Sequence, residues 1–183
     1  MKKSTYKIIP YPKSRQVIVN YLAIAHTKRA IHALIEVDVT QPRQMIRAYR
    51  DQSGESLSFT AFIIFCLARV VDEDKTLHAY RLGKKRLIVF DEVDITTLIE
   101  RQAGKHKIAV PYVIRAANHK TLYQIHEEIR SAQTDNTAAY QHMDWSAYLP
   151  DFLMRLFWRV LRVFPHLRKK FGGTLGVTAV GMF

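Results

Sequence analysis

Apolar positions alternate along residues 31–39 (IHALIEVDV). Ile31, Ala33, Ile35, Val37 and Val39 share one face, with His32, Glu36 and Asp38 among the residues on the other. A period of two predicts a half-buried strand. The spacing then becomes helical. Met45, Ile46 and Tyr49 fall on one stripe, Thr40 precedes Pro42 near the first turn, and Ser53-Gly54 supplies a stop. A helix with Thr40 as its N-cap is expected. Residues 57–71 (LSFTAFIIFCLARVV) are apolar on nearly every face and too long for an ordinary strand. They predict a buried helix capped by Ser56 or Ser58 and closed by Asp72, Glu73 and Asp74.

Residues 77–82 and 86–90 flank Gly83-Lys84-Lys85 as a hairpin. Residues 93–98 extend the sheet, and residues 107–116 (KIAVPYVIRA) form a further strand in which Pro111 points to an edge or a bulge. Thr121 with Gln124 three positions on reads as a capping box, with Leu122, Ile125 and Ile129 as the stripe behind it. Residues 133–148 have the polar and aromatic mixture of a loop. Residues 152–164 are helical, and Arg155, Arg159 and Arg162 fall on one face. Residues 172–183, glycine-rich and β-branched, read as a strand. Residues 1–14, with Pro10 and Pro12, form an irregular arm, and residues 17–24 fit helix or strand equally. No internal repeat is visible. Helices and strands mixed around one core predict an α/β (α+β) two-layer sandwich in a single domain.

Composition narrows the class. The chain has 183 residues, 48% hydrophobic and 24% charged, as in one globular domain. A single cysteine, Cys66, excludes an internal disulfide framework and a multi-cysteine zinc site. The longest apolar run, residues 61–68, is far short of the ~20 residues of a spanning helix, and no signal peptide is recognisable at the start. A soluble cytoplasmic domain is expected.

The formal net charge is +12. Residues 1–50 carry ten bases and two acids, residues 51–149 twelve and thirteen, and residues 150–170 six and one. The uneven excess suits an anionic partner, whether nucleic acid, membrane surface or a polyphosphate coenzyme; plain solubility explains it equally well. No glycine-rich phosphate loop and no H-E-x-x-H motif occurs. His126, beside Glu127 and Glu128, is expected at the surface. His142-Met143-Asp144 offers too few ligands for a metal site, so no metal is expected. Cys66, among Ile64, Phe65 and Leu67, reads as a buried and unreactive structural thiol. The helix after Asp151 has two readings. It lies on an anionic bilayer, or it packs against its own domain or a neighbouring subunit with its arginines solvated.

Five fragments in order carry a resemblance. They are EVDVT (residues 36–40), SLSFTAFI (56–63), FDEVDITTLI (90–99), AVPYVIRAANHKTLYQIHEEIR (109–130) and GGTLGVTAVGMF (172–183). Together they resemble the catalytic domain of the 2-oxoacid dehydrogenase acyltransferases, the dihydrolipoamide acyltransferase family related to chloramphenicol acetyltransferase. The resemblance spans residues 15–183. It implies a chloramphenicol acetyltransferase-like sandwich with a mixed sheet, working as a homotrimer with its active sites between subunits. With no lipoyl or peripheral subunit-binding domain expected before it, the short standalone branch of the family is the expectation. Residues 138–170, with their arginine helix, depart from the family pattern and read as an insertion.

The resemblance also implies a reaction. In this family a histidine acts as general base on the thiol of coenzyme A or dihydrolipoamide, and the thiolate attacks an acyl thioester. A hydroxyl in the glycine-rich strand stabilises the tetrahedral oxyanion. Thr178 stands at that position; as a residue type it is equally an ordinary strand former. Ser14-Arg15 matches the serine-arginine that opens the family's first helix, which makes Arg15 a coenzyme-binding candidate. Coenzyme A or its acyl thioester is the implied co-substrate, with a lipoylated protein or small thiol as acceptor. The family's base lies in H-x-x-x-D-G downstream of the glycine-rich strand, and none of the eight histidines here has Asp-Gly four and five positions later. The expectation is therefore an acyltransferase-like domain that lacks its C-terminal segment and is inactive as it stands. The alternative is a non-catalytic scaffold that binds a membrane surface through residues 151–170. Nucleic acid is not an expected partner, because the basic segments match no known binding module.

Overall fold

The computed structural model describes residues 30–83, 85–103, 106–134 and 151–179. Residues 1–14 and 17–24, Arg15, and the larger part of the 133–148 loop lie outside them. The described chain runs through α1 (Thr40–Ser53), α2 (Phe59–Glu73), a 3₁₀ turn (Lys75–His78), β1 (Tyr80–Leu82), β2 (Arg86–Ile88), β3 (Ile95–Ala103) and β4 (His106–Ile114). A second 3₁₀ turn (Ala117–His119) leads to α3 (Leu122–Thr134), α4 (Asp151–Val163), α5 (Pro165–Gly172) and β5 (Leu175–Val177).

Strand order in the main sheet is β4-β3-β5. β4 pairs antiparallel with β3, and β5 pairs parallel with β3, so the sheet is mixed. Parallel pairing requires a long crossover, and the stretch containing α3, α4 and α5 supplies it. Pro111 lies on β4 opposite Leu98, at the edge of the described sheet, the place where strand prolines are tolerated. The hairpin forms as expected, with Tyr80 opposite Ile88, but as a separate two-stranded sheet. β3 opens a second sheet rather than extending the first.

Pleat alternation explains the core. Ile95 and Ile99 of β3 face the same side as their partners Ile114 and Val110 of β4. Against that face lie Ala61, Ile64, Ala68 and Val71 of α2, and Ile125, Ile129 and Ala132 of α3. Each fully buried isoleucine contributes about 1.5–3 kcal/mol, which makes this helix-on-sheet contact the main support of the fold. It is a two-layer mixed α/β sandwich, as the sequence predicts. α2 is less enclosed than its composition suggests: its buried stripe recurs every three to four residues, while Leu67 and Val70 are exposed.

The caps follow the sequence with one correction. Ser58 caps α2 through its hydroxyl, which accepts from the Ala61 N–H at 3.4 Å. Thr121 and Gln124 make the reciprocal pair of a capping box, at 2.8 and 3.2 Å. Gly54 ends α1 with φ +77°. Thr40, however, is the first helical residue and caps nothing with its side chain. Instead its N–H donates to Asp38 Oδ1 at 2.8 Å, because a short carboxylate two residues earlier reaches the free amide directly.

The strand expected at residues 31–39 is not formed. The segment takes no regular structure, and Ile31 and Ile35 are 100% and 85% exposed. Alternation only makes a strand where another edge supplies hydrogen bonds and a face to cover it. No described residue does so here. α1 has no buried residue either; Met45 and Tyr49 are exposed, and Arg43 lies 4.6 Å over the Phe59 ring.

Candidate functional site

The loop between β2 and β3 has no regular hydrogen bonding of its own, so side chains must satisfy its backbone. The Phe90 carbonyl accepts from His78 Nε2 at 2.9 Å, and the Asp91 carbonyl from Asn118 Nδ2 at 3.2 Å. The Val93 N–H donates to Asn118 Oδ1 at 3.0 Å, and the Val93 carbonyl accepts from Ala117 N–H at 2.8 Å. Asn118 also donates to Asp72 Oδ1 at 2.8 Å, which holds that carboxyl below its usual range. Buried Asn118 therefore ties the end of α2 to the start of β3.

Asp94 is the centre of the arrangement. It is 3% exposed, and its Oδ2 lies 2.8 Å from Arg115 Nη1 and 3.7 Å from Lys169 Nζ. Its Oδ1 accepts from the Ala116 N–H at 2.9 Å. The same Arg115 donates to the carbonyls of Lys169, at 3.1 Å, and Lys170. A guanidinium thus caps the C-terminus of α5, where the helix dipole favours a cation.

The chain then turns into β5 through Gly173. Its φ is +61°, and a β-carbon there would stand 2.7 Å from the Asp94 carbonyl oxygen and 2.9 Å from Thr96 Oγ1. Only glycine fits. Tyr80 OH donates to the Gly173 carbonyl, and Thr96 Oγ1 to that of Gly172 at 2.7 Å. Thr174 follows, its N–H donating to the Asp94 carbonyl at 2.7 Å. Its Oγ1 lies 2.9 Å from His78 Nδ1, 3.1 Å from the Asp94 carbonyl and 3.3 Å from the Asp94 N–H.

Buried His78 is therefore held at both nitrogens. The Phe90 carbonyl can only accept, so the proton of the neutral ring sits on Nε2 and Nδ1 accepts from Thr174. Burial pushes this imidazole below its ordinary value, with the nearby Lys169 and Lys75 cations adding to the effect. His126, expected at the surface, is buried, because α3 turns it toward the start of α2. Its Nδ1 accepts from the Ser58 N–H at 3.0 Å, and burial lowers its pKa too. In each neutral ring the accepting nitrogen is already taken by a hydrogen bond, from Thr174 or from the Ser58 N–H, so neither offers the lone pair a general base needs. His32, His119 and His166 are exposed, His166 meeting Phe90 edge-on at 6.0 Å. His26 and His142 lie outside the described residues.

Thr178 comes directly after β5, one position beyond the last registered pair, Thr97 opposite Val177. It is exposed. The structure places it four residues from the Asp94–Thr174 knot and brings no described histidine to its side chain by a hydrogen bond. Arg15 lies outside the described residues. Cys66 is half-buried on α2, and that burial pushes its thiol up, away from thiolate chemistry. Among the described residues no three His, Cys, Asp or Glu side chains cluster as metal ligands, and no helix is long and apolar enough to cross a membrane.

Sequence reasoning gave no role to Asp94, Arg115, Asn118, His78 or Thr174. The signal was present all the same. The FDEVD and RAANH fragments put charged and amide residues where strands begin and end, and glycine pairs with threonine at 172–174. Such residues tie irregular backbone together.

Known proteins share this fold. The family model for the 2-oxoacid dehydrogenases acyltransferase (catalytic domain) matches residues 3–146. No curated protein matches the chain. Among solved structures, a probable dihydrolipoamide acetyltransferase from Listeria monocytogenes is 23% identical, with a TM-score of 0.58 over 73% of this chain and 60% of that one. The truncated catalytic core of a 2-oxoacid dehydrogenase multienzyme complex from Thermoplasma acidophilum is 18% identical, with a TM-score of 0.58 over 72% and 62%. The cubic core of a pyruvate dehydrogenase multienzyme complex is 17% identical, with a TM-score of 0.62 over 75% and 59%. These likenesses share the fold, and the chain spans about 60% of the length of each structure. With the family match covering well over half of its residues, the chain belongs to the 2-oxoacid dehydrogenase acyltransferases, within their catalytic domain.

Proposed function

We propose that this domain transfers an acyl group between coenzyme A and a thiol acceptor such as dihydrolipoamide, with the Thr178 hydroxyl donating to the oxyanion. One observation carries the assignment to Thr178. Of the two threonines bracketing β5, Thr174 is consumed by His78 and Asp94, whereas Thr178 is exposed and, among the described residues, free of such ties. In the reaction, a thiolate attacks the thioester carbonyl carbon and the carbonyl oxygen gathers negative charge. A pre-placed hydroxyl stabilises that charge before the bond to the leaving sulfur breaks. The acceptor's thiol proton must go to a base, and the locked imidazoles of His78 and His126 are unsuited to take it.

None of the eight histidines lies in H-x-x-x-D-G. These 183 residues alone are therefore expected to transfer slowly. We place the site between subunits of a homotrimer, and the basic excess attracts the coenzyme's phosphates. The test is acetyl transfer from acetyl-coenzyme A to dihydrolipoamide, on a form extended past Phe183 to carry the histidine motif. Thr178→Ala should lower kcat by roughly 100- to 1000-fold with KM and melting temperature unchanged. An unchanged kcat removes Thr178 from the chemistry. A trimeric extended form with no transfer removes the enzymatic reading itself.

A further inference from the structure

α4 and α5 carry an apolar row that the described residues leave exposed. Leu153, Leu156, Val160 and Val163 recur at spacings of three and four along α4, and Phe164 and Leu167 continue toward α5. All six are exposed, Val163 to 67%, Leu156 to 56% and Phe164 to 54%. A different face of α4 is the docked one: Leu161 is buried, and the Phe157 ring meets Phe171 at 5.6 Å. Arg159 is exposed beside the row, and in sequence Arg155 and Arg162 stand four and three positions from it. Residues 150–170 carry six bases and one acid.

We propose that the α4–α5 segment is an interfacial anchor that lays this apolar row into an anionic phospholipid bilayer. A continuous exposed row of large apolar side chains marks a surface meant to be covered. At 13 residues α4 is too short to span a bilayer, but lying in the interface requires no spanning length. The acyl region takes the leucines, valines and phenylalanine, and the headgroup phosphates take the arginines. Pairing of this face with the same face of a second copy fits less well, since it would press two strongly basic segments together. Nucleic acid would engage the arginines and leave the apolar row without a partner. The inference stands apart from the acyl-transfer reading, because no residue it uses belongs to the β5 site.

The experiment is co-sedimentation of the full chain with phosphatidylcholine vesicles, with and without phosphatidylglycerol. Binding should require phosphatidylglycerol and weaken at high salt. Replacing Arg155, Arg159 and Arg162 by Gln should weaken it about five-fold per arginine, on the order of a hundred-fold together. Leu156→Asp with Val163→Asp should abolish it at any salt, with melting temperature and sedimentation mass unchanged. No binding to phosphatidylglycerol vesicles at low salt overturns the proposal. So does binding that survives the aspartates, which would mean charge alone, or that DNA displaces without regard to them. A fall in oligomeric mass caused by the aspartates also overturns it, and assigns the row to an interface between copies.

Discussion

The two ends of β5 make a controlled contrast. Thr174 and Thr178 are the same residue type, four positions apart, on either side of one three-residue strand. At the entry, Thr174 sits in a closed polar knot with His78 and Asp94, beside a glycine that nothing else can replace. At the exit, Thr178 is exposed. Chemistry in the side chain is therefore not what separates a structural hydroxyl from an available one. Its unspent hydrogen-bonding capacity is. A knot of hydrogen bonds around Asp94 and Thr174 fixes where β5 starts, and a parallel strand fixed at its start presents its far end in a defined place.

The contrast is broken most forcefully at Asp94. Asp94→Ala leaves the Arg115 guanidinium and the Ala116 N–H without their acceptor and unfastens α5 from β3. The expected loss is about 1.5–3 kcal/mol of folding stability, the range for hydrogen bonds to a charged group, since Asp94 is buried but Arg115 is 45% exposed. Asp94→Asn keeps an oxygen for the Ala116 N–H while losing the charge, and should fall between wild type and alanine. Urea denaturation of the three proteins reads the order. Equal stabilities would show that the knot is held by backbone contacts alone.

The paired threonines sharpen the contrast directly. Thr174→Ala deprives His78 Nδ1 of its donor in a buried setting and should cost about 1–3 kcal/mol. Thr178→Ala, at an exposed position, should stay within roughly 0.5 kcal/mol of wild type. Thermal melts of both variants check this. If the two cost the same, Thr178 is itself a structural hydroxyl, and its place in the chemistry loses the observation that supports it.

The sequence was legible where neighbours along the chain decide the outcome. The capping box at Thr121, the hydroxyl cap of Ser58 and the edge placement of Pro111 are all local, and each is found as expected. It was less legible where distant segments decide. The alternation at residues 31–39 is real, but a strand needs a partner edge, and pattern says nothing about who provides one. His126 carries acidic neighbours in sequence, yet its orientation on α3 points it at the Ser58 amide 68 positions earlier. Asp94, Arg115 and Thr174 meet from three separated stretches, so spacing could not unite them. The ordered fragments that signal the family contain those residues because the fold needs them, which is why family and fold were readable while the individual roles were not.

The smallest expected effect is on pH, and it tests the same division between spent and unspent groups. Burial lowers the pKa of both His78 and His126 from the ordinary value of 6.5. Below that value the unfolded chain binds protons that the folded chain resists, so stability is complete above about pH 6.5 and declines as pH falls. The slope cannot exceed about 1.4 kcal/mol per pH unit for each imidazole. The lowered carboxyls of Asp72, Asp74 and Asp38 act only as pH falls below their ordinary 3.8, which leaves a window in which the two histidines dominate. His78→Gln keeps a donor toward the Phe90 carbonyl and His126→Asn keeps an acceptor for the Ser58 N–H. Urea midpoints between pH 7.5 and 5, taken on wild type and on the double variant, should diverge from parallel, with the variant flat where wild type declines. Equal slopes in the two proteins would mean that these imidazoles are free to charge in place. The His78 contact with Thr174 would then not be the closed end of β5.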